Sequence, residues 1–312
     1  MARYLVTGGC GFIGSHLCEA LIGSGNEVRV LDDLSTGAIA HLPTDAELIR
    51  ADVADLPAVE HAMSSVDGCF HLAAITSVSR STQDWIATHR VNLTGSITVF
   101  EAAKRCGNVP VVYASSAAVY GDSARLPMSE DVEKNPISAY GADKLGGELH
   151  ARVAAQLHGV PTIGLRFFNV YGPRQDPKSA YSGVISIFCD QVRRKIPITI
   201  FGSGQQTRDF IYVEDVVNAL IQAQSRHELS PGVFNTCTGI ATPIANLANL
   251  IGVLYGKQLP IHFDAARSGD IMHSVGDPDL AHLSLGFTAV TPLRVGLTRT
   301  IEWLETTEAN VA

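Results

Sequence analysis

The chain has 312 residues, 46% hydrophobic and 17% charged, which is enough apolar material for a large packed core in one domain or two closely joined ones and excludes a long disordered tail. Its net charge is −8 and no run of five basic residues occurs, so neither a nucleic-acid partner nor an anionic membrane surface is expected. Cys10, Cys18, Cys69, Cys106, Cys189 and Cys237 form no CxxC pair, no segment resembles a signal peptide and no uncharged apolar run reaches spanning length; reduced thiols, no metal and a cytoplasmic location are the expectation.

Short β-rich runs alternate with helical patterns through the first half, the signature of βαβ units feeding a doubly wound parallel sheet. The first strand, Tyr4–Thr7, runs into Gly8-Gly9-Cys10-Gly11-Phe12-Ile13-Gly14, and a helix is predicted over Ile13–Ile22. Glycines in this pattern allow a tight turn and let the backbone approach a pyrophosphate at the positive end of the helix. The next strand, Glu27–Asp32, ends on a carboxylate about 20 residues beyond the turn, where it can accept from both hydroxyls of an adenosine ribose. With no Arg in Asp32-Asp33-Leu34-Ser35-Thr36-Gly37, NAD is preferred over NADP. A third strand, Glu47–Arg50, precedes Asp52-Val53, where the aspartate either faces an adenine or serves as an ordinary loop or cap residue.

A helix over Pro57–Met63, a strand at Gly68–Leu72, a helix over Arg90–Cys106 and a strand at Val109–Ala114 continue the alternation. That last strand leads into Ser115-Ser116, at the carboxyl end where ligands bind in open α/β sheets. Asn135-Pro136-Ile137-Ser138 reads as the start of a helix over Ala139–His158, with Tyr140 and Lys144 four apart on one face. They either act on one atom, the ammonium favouring a reactive phenolate, or the tyrosine merely packs on the lysine stem. A strand at Thr162–Phe167 ends the regular part. Beyond Asn169 the chain turns loop-like, then gives a helix over Val184–Arg194, short strands and further helices. The expected boundary is at 169/170, with residues 1–169 binding the dinucleotide, a smaller, less regular unit over 170–312, and Val233–Cys237 returning to the main sheet.

These residues resemble the extended short-chain dehydrogenase/reductase family, specifically its NAD-dependent nucleotide-sugar epimerases and dehydratases. The likeness covers nearly the whole chain and rests on the glycine turn, His71-Leu72-Ala73-Ala74, Asn92-Leu93-Thr94-Gly95, Ser115-Ser116 with Val119-Tyr120-Gly121, Tyr140-Gly141-Ala142-Asp143-Lys144 and Arg166-Phe167-Phe168-Asn169-Val170-Tyr171-Gly172-Pro173. Phe201-Gly202, Arg208-Asp209-Phe210 and Arg267-Ser268-Gly269-Asp270-Ile271 extend it.

The resemblance implies Tyr140 as base, Lys144 as the residue that binds the nicotinamide ribose and tunes Tyr140, and Ser116 as the contact to the sugar 4-hydroxyl. It implies an NAD pocket that takes in Gly8, Gly11, Phe12, Ile13, Gly14, Asp32, Asp33, Leu34, Ser35, Thr36, Gly37, Asp52 and Val53. Leu72, Ala73, Ala74 and Asn92 would line its nicotinamide side, and Thr76, Ala114, Ser115 and Phe167 would also bind the cofactor. Asn169, Val184, Thr199, Phe201, Arg208, Arg267 and Asp270 would hold the nucleotide sugar, two guanidinium forks suiting a diphosphate and an aromatic ring a pyrimidine.

Ala117 and Ala118 follow Ser116, where dehydratases of the family carry an Asp-Glu pair and decarboxylases have a Glu nearby. Only oxidation and reduction at C4 remain, which points to a UDP-sugar 4-epimerase. Ser274 matches the position that walls the sugar near C2 and C6, and a small residue there implies room for an N-acetyl group. The alternatives are a UDP-glucuronate 4-epimerase, a decarboxylase, a 4,6-dehydratase and a non-catalytic NAD-binding sensor. The helices over 90–106 and 139–158 resemble the pair that forms this family's dimer interface, so a homodimer is expected.

Overall fold

The structure, a computed structural model, describes residues 1–175, 183–257, 260–266 and 270–309. The first half runs β1 (Arg3–Thr7), α1 (Phe12–Gly23), β2 (Glu27–Asp32), β3 (Glu47–Arg50), α2 (Leu56–Met63), β4 (Gly68–His71), α3 (Val78–Gln83), α4 (Trp85–His89), α5 (Gly95–Arg105), β5 (Val111–Ser116), α6 (Ala139–His158) and β6 (Thr162–Phe167). It continues through β7 (Asn169–Tyr171), α7 (Val184–Arg193), β8 (Ile198–Phe201), β9 (Thr207–Arg208), β10 (Phe210–Tyr212), α8 (Val213–Ser225) and β11 (Gly232–Thr236). The rest comprises β12 (Thr242–Pro243), α9 (Ile244–Leu254), β13 (Ile261–Asp264), β14 (His273–Ser274), α10 (Asp279–Leu285) and α11 (Leu293–Ala309).

Seven strands form one parallel sheet in the order β11-β6-β5-β4-β1-β2-β3. The order reverses beside β1, which pairs with β2 on one side and β4 on the other, so a crevice opens at the carboxyl ends of β1 and β4. Both faces of the sheet are covered. Leu5, Leu31, Cys69, Val111 and Tyr113 pack with α2, α5 and α6 residues such as Val59, Val99, Phe100 and Ala151. On the other face Val6, Val30, Phe70, Val112 and Leu165 meet α1 and α8 through Leu17, Leu21, Val216 and Leu220. Near-continuous Val, Ile and Leu in these strands is what burial on both faces requires.

Later segments form smaller pairings: β10 with β7, β13 with β8, and β9 between β12 and β14. Their core of Tyr171, Phe188, Ile200, Leu247 and Leu297 also receives Phe12 and Ile13 from the start of α1. Among the described residues no helix is long and apolar enough to cross a membrane.

Two predicted elements are corrected. The helix expected over Arg90–Cys106 is interrupted: Arg90–Thr94 is a wide π turn and α5 starts at Gly95. This extra width turns Asn92 toward the loop after β4, and such bulges gather at functional sites. The strand expected at Val109–Ala114 is shifted to Val111–Ser116. Pro110 has no N–H for a ladder and contributes only its carbonyl, to Cys69 N–H at 2.8 Å. In addition, two short helices that were not expected, α3 and α4, precede the π turn, the second capped by Asp84 accepting from Ala87 N–H.

Candidate active site

The turn after β1 is shaped by glycine at two positions. Gly8 has φ +73°, and a Cβ there would lie 2.7 Å from Ala73 N; a Cβ on Gly14 would lie 2.1 Å from Gly8 O. Both press backbone against backbone, which leaves no room for a side chain. Gly11 is the N-cap of α1, carries no capping side chain, and the first turn holds no acidic residue. The positive end of α1 is thus bare toward the crevice, as a pyrophosphate requires. At the end of β2, Asp32 is 8% exposed and accepts from Cys10 N–H at 2.9 Å and Leu34 N–H at 2.8 Å. Burial raises its affinity for a proton, and those two N–H groups pull it back down. Each carboxylate oxygen retains a lone pair for a ribose hydroxyl. Residues 33–37 fold back over the turn, since a Cβ on Gly37 would touch Cys10 and Ala38 N–H donates to Cys10 O. Asp33 caps its own loop through Ser35 N–H. The residues therefore fit a dinucleotide with free ribose hydroxyls.

Asp52 pairs with Arg90, and Val53 is buried against Gly95, so any contact of residue 53 with a ligand is through its backbone. Beside β1, Leu72 N–H donates to Thr7 O and Ala73 N–H to Thr7 Oγ1. Thr7 Oγ1 lies 2.8 Å from His71 Nδ1, His71 Nε2 lies 3.0 Å from Ser96 Oγ, and Ser96 donates to Asn92 O. Because Ser96 gives its proton to Asn92 O, its oxygen accepts from Nε2–H, which leaves Nδ1 of the neutral ring to accept from Thr7 Oγ1. Burial, then the Lys144 charge, push His71 down to about 3, so it stays neutral. Asn92 grips Ile75 at both backbone atoms, 2.8 Å to N and 3.0 Å to O. Its side chain thus shapes the loop of Leu72, Ala73 and Ala74. Thr76 is exposed at the far end. His71 was given no role by the sequence; a polar residue at the end of an apolar strand was the available signal.

Ser138 caps α6 by accepting from Gly141 N–H at 3.1 Å. A Cβ on Gly141 would lie 2.6 Å from Ala118 O, so glycine lets α6 approach the turn after β5. That approach brings Tyr140, on the first turn of α6, beside Ser116 at the strand end. Burial raises the phenol's pKa, and the Ser116 hydrogen bond lowers it. Lys144 Nζ donates to Ala114 O at 2.8 Å and lies 5.8 Å from the centroid of the Tyr140 ring. Two ammonium protons remain for ribose hydroxyls. Burial lowers Lys144 to about 8, while Asp143 and Glu148 raise it. Ser115, the next residue on β5, faces the other way and donates to Glu148 Oε1 at 2.5 Å. It meets a cofactor only through its backbone. Phe167 is buried in the core beneath β6.

Across the crevice, Asn169 N–H and Nδ2 both donate to Asp209 O. Asp209 is fully buried; its carboxylate accepts from Thr238 N–H and Oγ1, Gly239 N–H and Gly276 N–H. Its N–H donates to Ser274 O. Asp209 thereby ties Asn169 to Ser274, and it was missed because one aspartate between Arg208 and Phe210 carries no such signal in sequence. Arg208 pairs with Asp270 at 2.5 Å; burial lowers the guanidinium's pKa and Asp270 raises it. Thr199 and Phe201 lie on β8, whose end is joined to β9 by Gln206 Nε2 donating to Phe201 O at 2.6 Å. Val184 opens α7. Arg267 lies outside the described residues. The structure thus ties Asn169 to Ser274 through the Asp209 backbone and sets the Arg208–Asp270 pair next to it, Arg208 preceding Asp209 in the chain, with Thr199 and Phe201 on β8. No group of three or more His, Cys, Asp or Glu able to hold a metal occurs among the described residues.

The family model described as the NAD dependent epimerase/dehydratase family matches residues 4–237. The UDP-glucose 4-epimerase of Mycolicibacterium smegmatis is 36% identical over 309 residues, covering 96% of this chain and 98% of that one. The crystal structure of UDP-glucose 4-epimerase with UDP-glucose from Thermotoga maritima superposes with a TM-score of 0.93 at 33% identity, over 98% of this chain and 99% of the other. The UDP-N-acetylglucosamine 4-epimerase of Methanobrevibacter ruminantium in complex with UDP-N-acetylmuramic acid gives a TM-score of 0.94 at 32% identity, with the same coverage.

Proposed function

Because the chain belongs to the NAD dependent epimerase/dehydratase family, we propose that it inverts C4 of a UDP-hexose or UDP-N-acetylhexosamine through a 4-keto intermediate. The observation that carries this reading is the pairing of Ser116 and Tyr140 at the end of β5, followed by Ala117 and Ala118, which carry no ionisable group. NAD, held by the glycine turn, Asp32 and Lys144, would supply the acceptor and then the donor of the C4 hydride. Tyr140 removes the proton from O4 and returns it, Ser116 hydrogen-bonds that oxygen, and Lys144 holds the nicotinamide ribose while placing positive charge beside the phenol. Release of water or carbon dioxide needs an additional acid or base, and the two alanines offer none. Inversion would require the keto sugar to turn its other face to the nicotinamide side of the site before reduction.

Asn169, Thr199, Phe201, Arg208 and Arg267 hold the UDP moiety on this reading. Residues 1–169 serve NAD and 170–312 the nucleotide sugar, although β11 belongs to the main sheet and α8 covers it. Ser274, buried on β14, leaves space at the sugar for an acetamido group. The enzyme works as a homodimer in the cytoplasm, joined through α5 and α6.

The test is incubation with UDP-Glc, UDP-Gal, UDP-GlcNAc, UDP-GalNAc and UDP-glucuronate, products being resolved by NMR. C4 epimers should form with no net NADH. Steady NADH without epimer, or a 4-keto-6-deoxy product, overturns the proposal. Ser274→Tyr should cut turnover of the acetamido sugars at least about tenfold more than that of the plain hexoses, a steric effect worth 1–3 kcal/mol; equal losses would reject the role of Ser274.

A further inference from the structure

Asp143 is 4% exposed, yet it makes only one side-chain hydrogen bond: Oδ1 lies 2.8 Å from His89 Nδ1, and Oδ2 is buried without a partner among the described residues. A carboxylate so placed is costly to bury, and nothing in the packing of α6 calls for it. Its neighbour in sequence is Lys144. We propose that Asp143, held in place by His89, is a positioning residue that keeps the Lys144 ammonium charged inside the buried site and so sustains the reactivity of Tyr140. This inference rests on the catalytic reading of Tyr140 and Lys144 given above.

The groups around Lys144 leave this task to Asp143. On its own helix stand Tyr140, Asp143 and Glu148. Glu148 is already saturated: Arg166 binds it with two parallel bonds, Nε at 2.8 Å and Nη2 at 2.7 Å, and Ser115 donates to it. From β4 comes His71, which stays neutral, and from β5 the Ala114 carbonyl and Ser116. Around Asp143 itself, α4 contributes His89. The nearest cation of the π turn, Arg90, is committed to Asp52. Among the described residues Asp143 is therefore the carboxylate next to Lys144 that no arginine or lysine side chain binds, and its charge favours the protonated lysine.

His89 fixes the carboxylate from outside. Its side chain is 50% exposed while that of Asp143 is 5% exposed, so the imidazole stands between solvent and the buried carboxylate. His89 on α4 thus holds the carboxylate that precedes Lys144 on α6.

The test is Asp143→Asn in the full-length, NAD-loaded enzyme, since asparagine keeps an acceptor for His89 and removes only the charge. Lysine 13Cε resonances are titrated by NMR, the Lys144 signal among the six lysines being assigned with Lys144→Arg. The Lys144 midpoint should fall by about one pH unit, and the alkaline limb of the kcat profile should fall with it while KM for the UDP-sugar changes little. Asp143→Glu should restore both. His89→Phe, which strips the carboxylate of its donor, should move the midpoint in the same direction and serves if Asp143→Asn does not fold. An unchanged Lys144 midpoint in folded Asp143→Asn overturns the proposal. The titration needs no turnover, so a chain that proved not to be an epimerase would fail the rate profile but not the NMR measurement.

Discussion

His71 shows how a single side chain can carry the cost of an organised site. It is 2% exposed, joined to Thr7 and Ser96, and held neutral with its pKa down to about 3. The unfolded chain binds a proton at His71 below about 6.5, whereas the folded chain does so only near 3. Between those values the unfolded state holds more protons, so stability is lost as pH falls through that window and is fully present above it. Urea unfolding from pH 7 to 4 should show that decline, and His71→Gln should flatten it while costing about 1–3 kcal/mol at pH 7 through broken buried hydrogen bonds. An equal slope in both proteins would contradict the assignment. Lys144 follows the same charge logic at higher pH: its pKa, lowered by burial to about 8, makes the folded state gain relative stability as pH rises from 8 toward the ordinary lysine range.

Helix α1 is constrained at one end and free at the other. A Cβ at Gly14 would strike Gly8 O at 2.1 Å, whereas at Gly23 nothing lies within 4 Å. Gly14→Ala should therefore push α1 off the turn, weakening NAD binding at least about tenfold (1.4 kcal/mol) with a lower melting temperature. Gly23→Ala should instead leave binding alone and stabilise the fold by about 0.4–1 kcal/mol; calorimetry of both variants, with NAD titrations, checks the contrast. At this scale much was legible beforehand. Strands β2, β3 and β6 and helix α6 have the bounds expected from apolar periodicity and capping. The π turn at Arg90–Thr94 was not legible, because it is imposed by Asn92 reaching Ile75, a contact across 17 residues. Helices α3 and α4 escaped because six and five residues give no readable period.

In the whole molecule the two halves of the sequence share cores. Ile211, Val216, Leu220 and Phe234 pack with Val6, Phe70 and Leu165 in a single cluster, so the later half completes the sheet built by the first. Outside that shared core, α6 leaves Leu149, Val153 and Leu157 exposed at 47%, 48% and 72%, spaced four apart on one face, and the neighbouring α5 exposes Ile97. An apolar stripe of this kind fits the proposed two-fold interface. Light scattering should return twice the 33.2 kDa chain mass, and Leu149→Asp with Val153→Asp should reduce it to one chain without loss of helical signal. A wild-type mass of one chain would dismiss the dimer.

The sequence alone determined the parallel sheet, the glycine turn with Asp32 and the one-face pairing of Tyr140 with Lys144, because each follows from local periodicity, conformational freedom or spacing within a few turns. Only the tertiary structure decided that Ser115 turns to Glu148 while Ser116 meets the phenol, that His71 is neutral, and that Asp209 ties Asn169 to Ser274. Those outcomes depend on burial and on partners tens of residues away, and the free energy of a buried polar group is set by neighbours that the linear chain does not name.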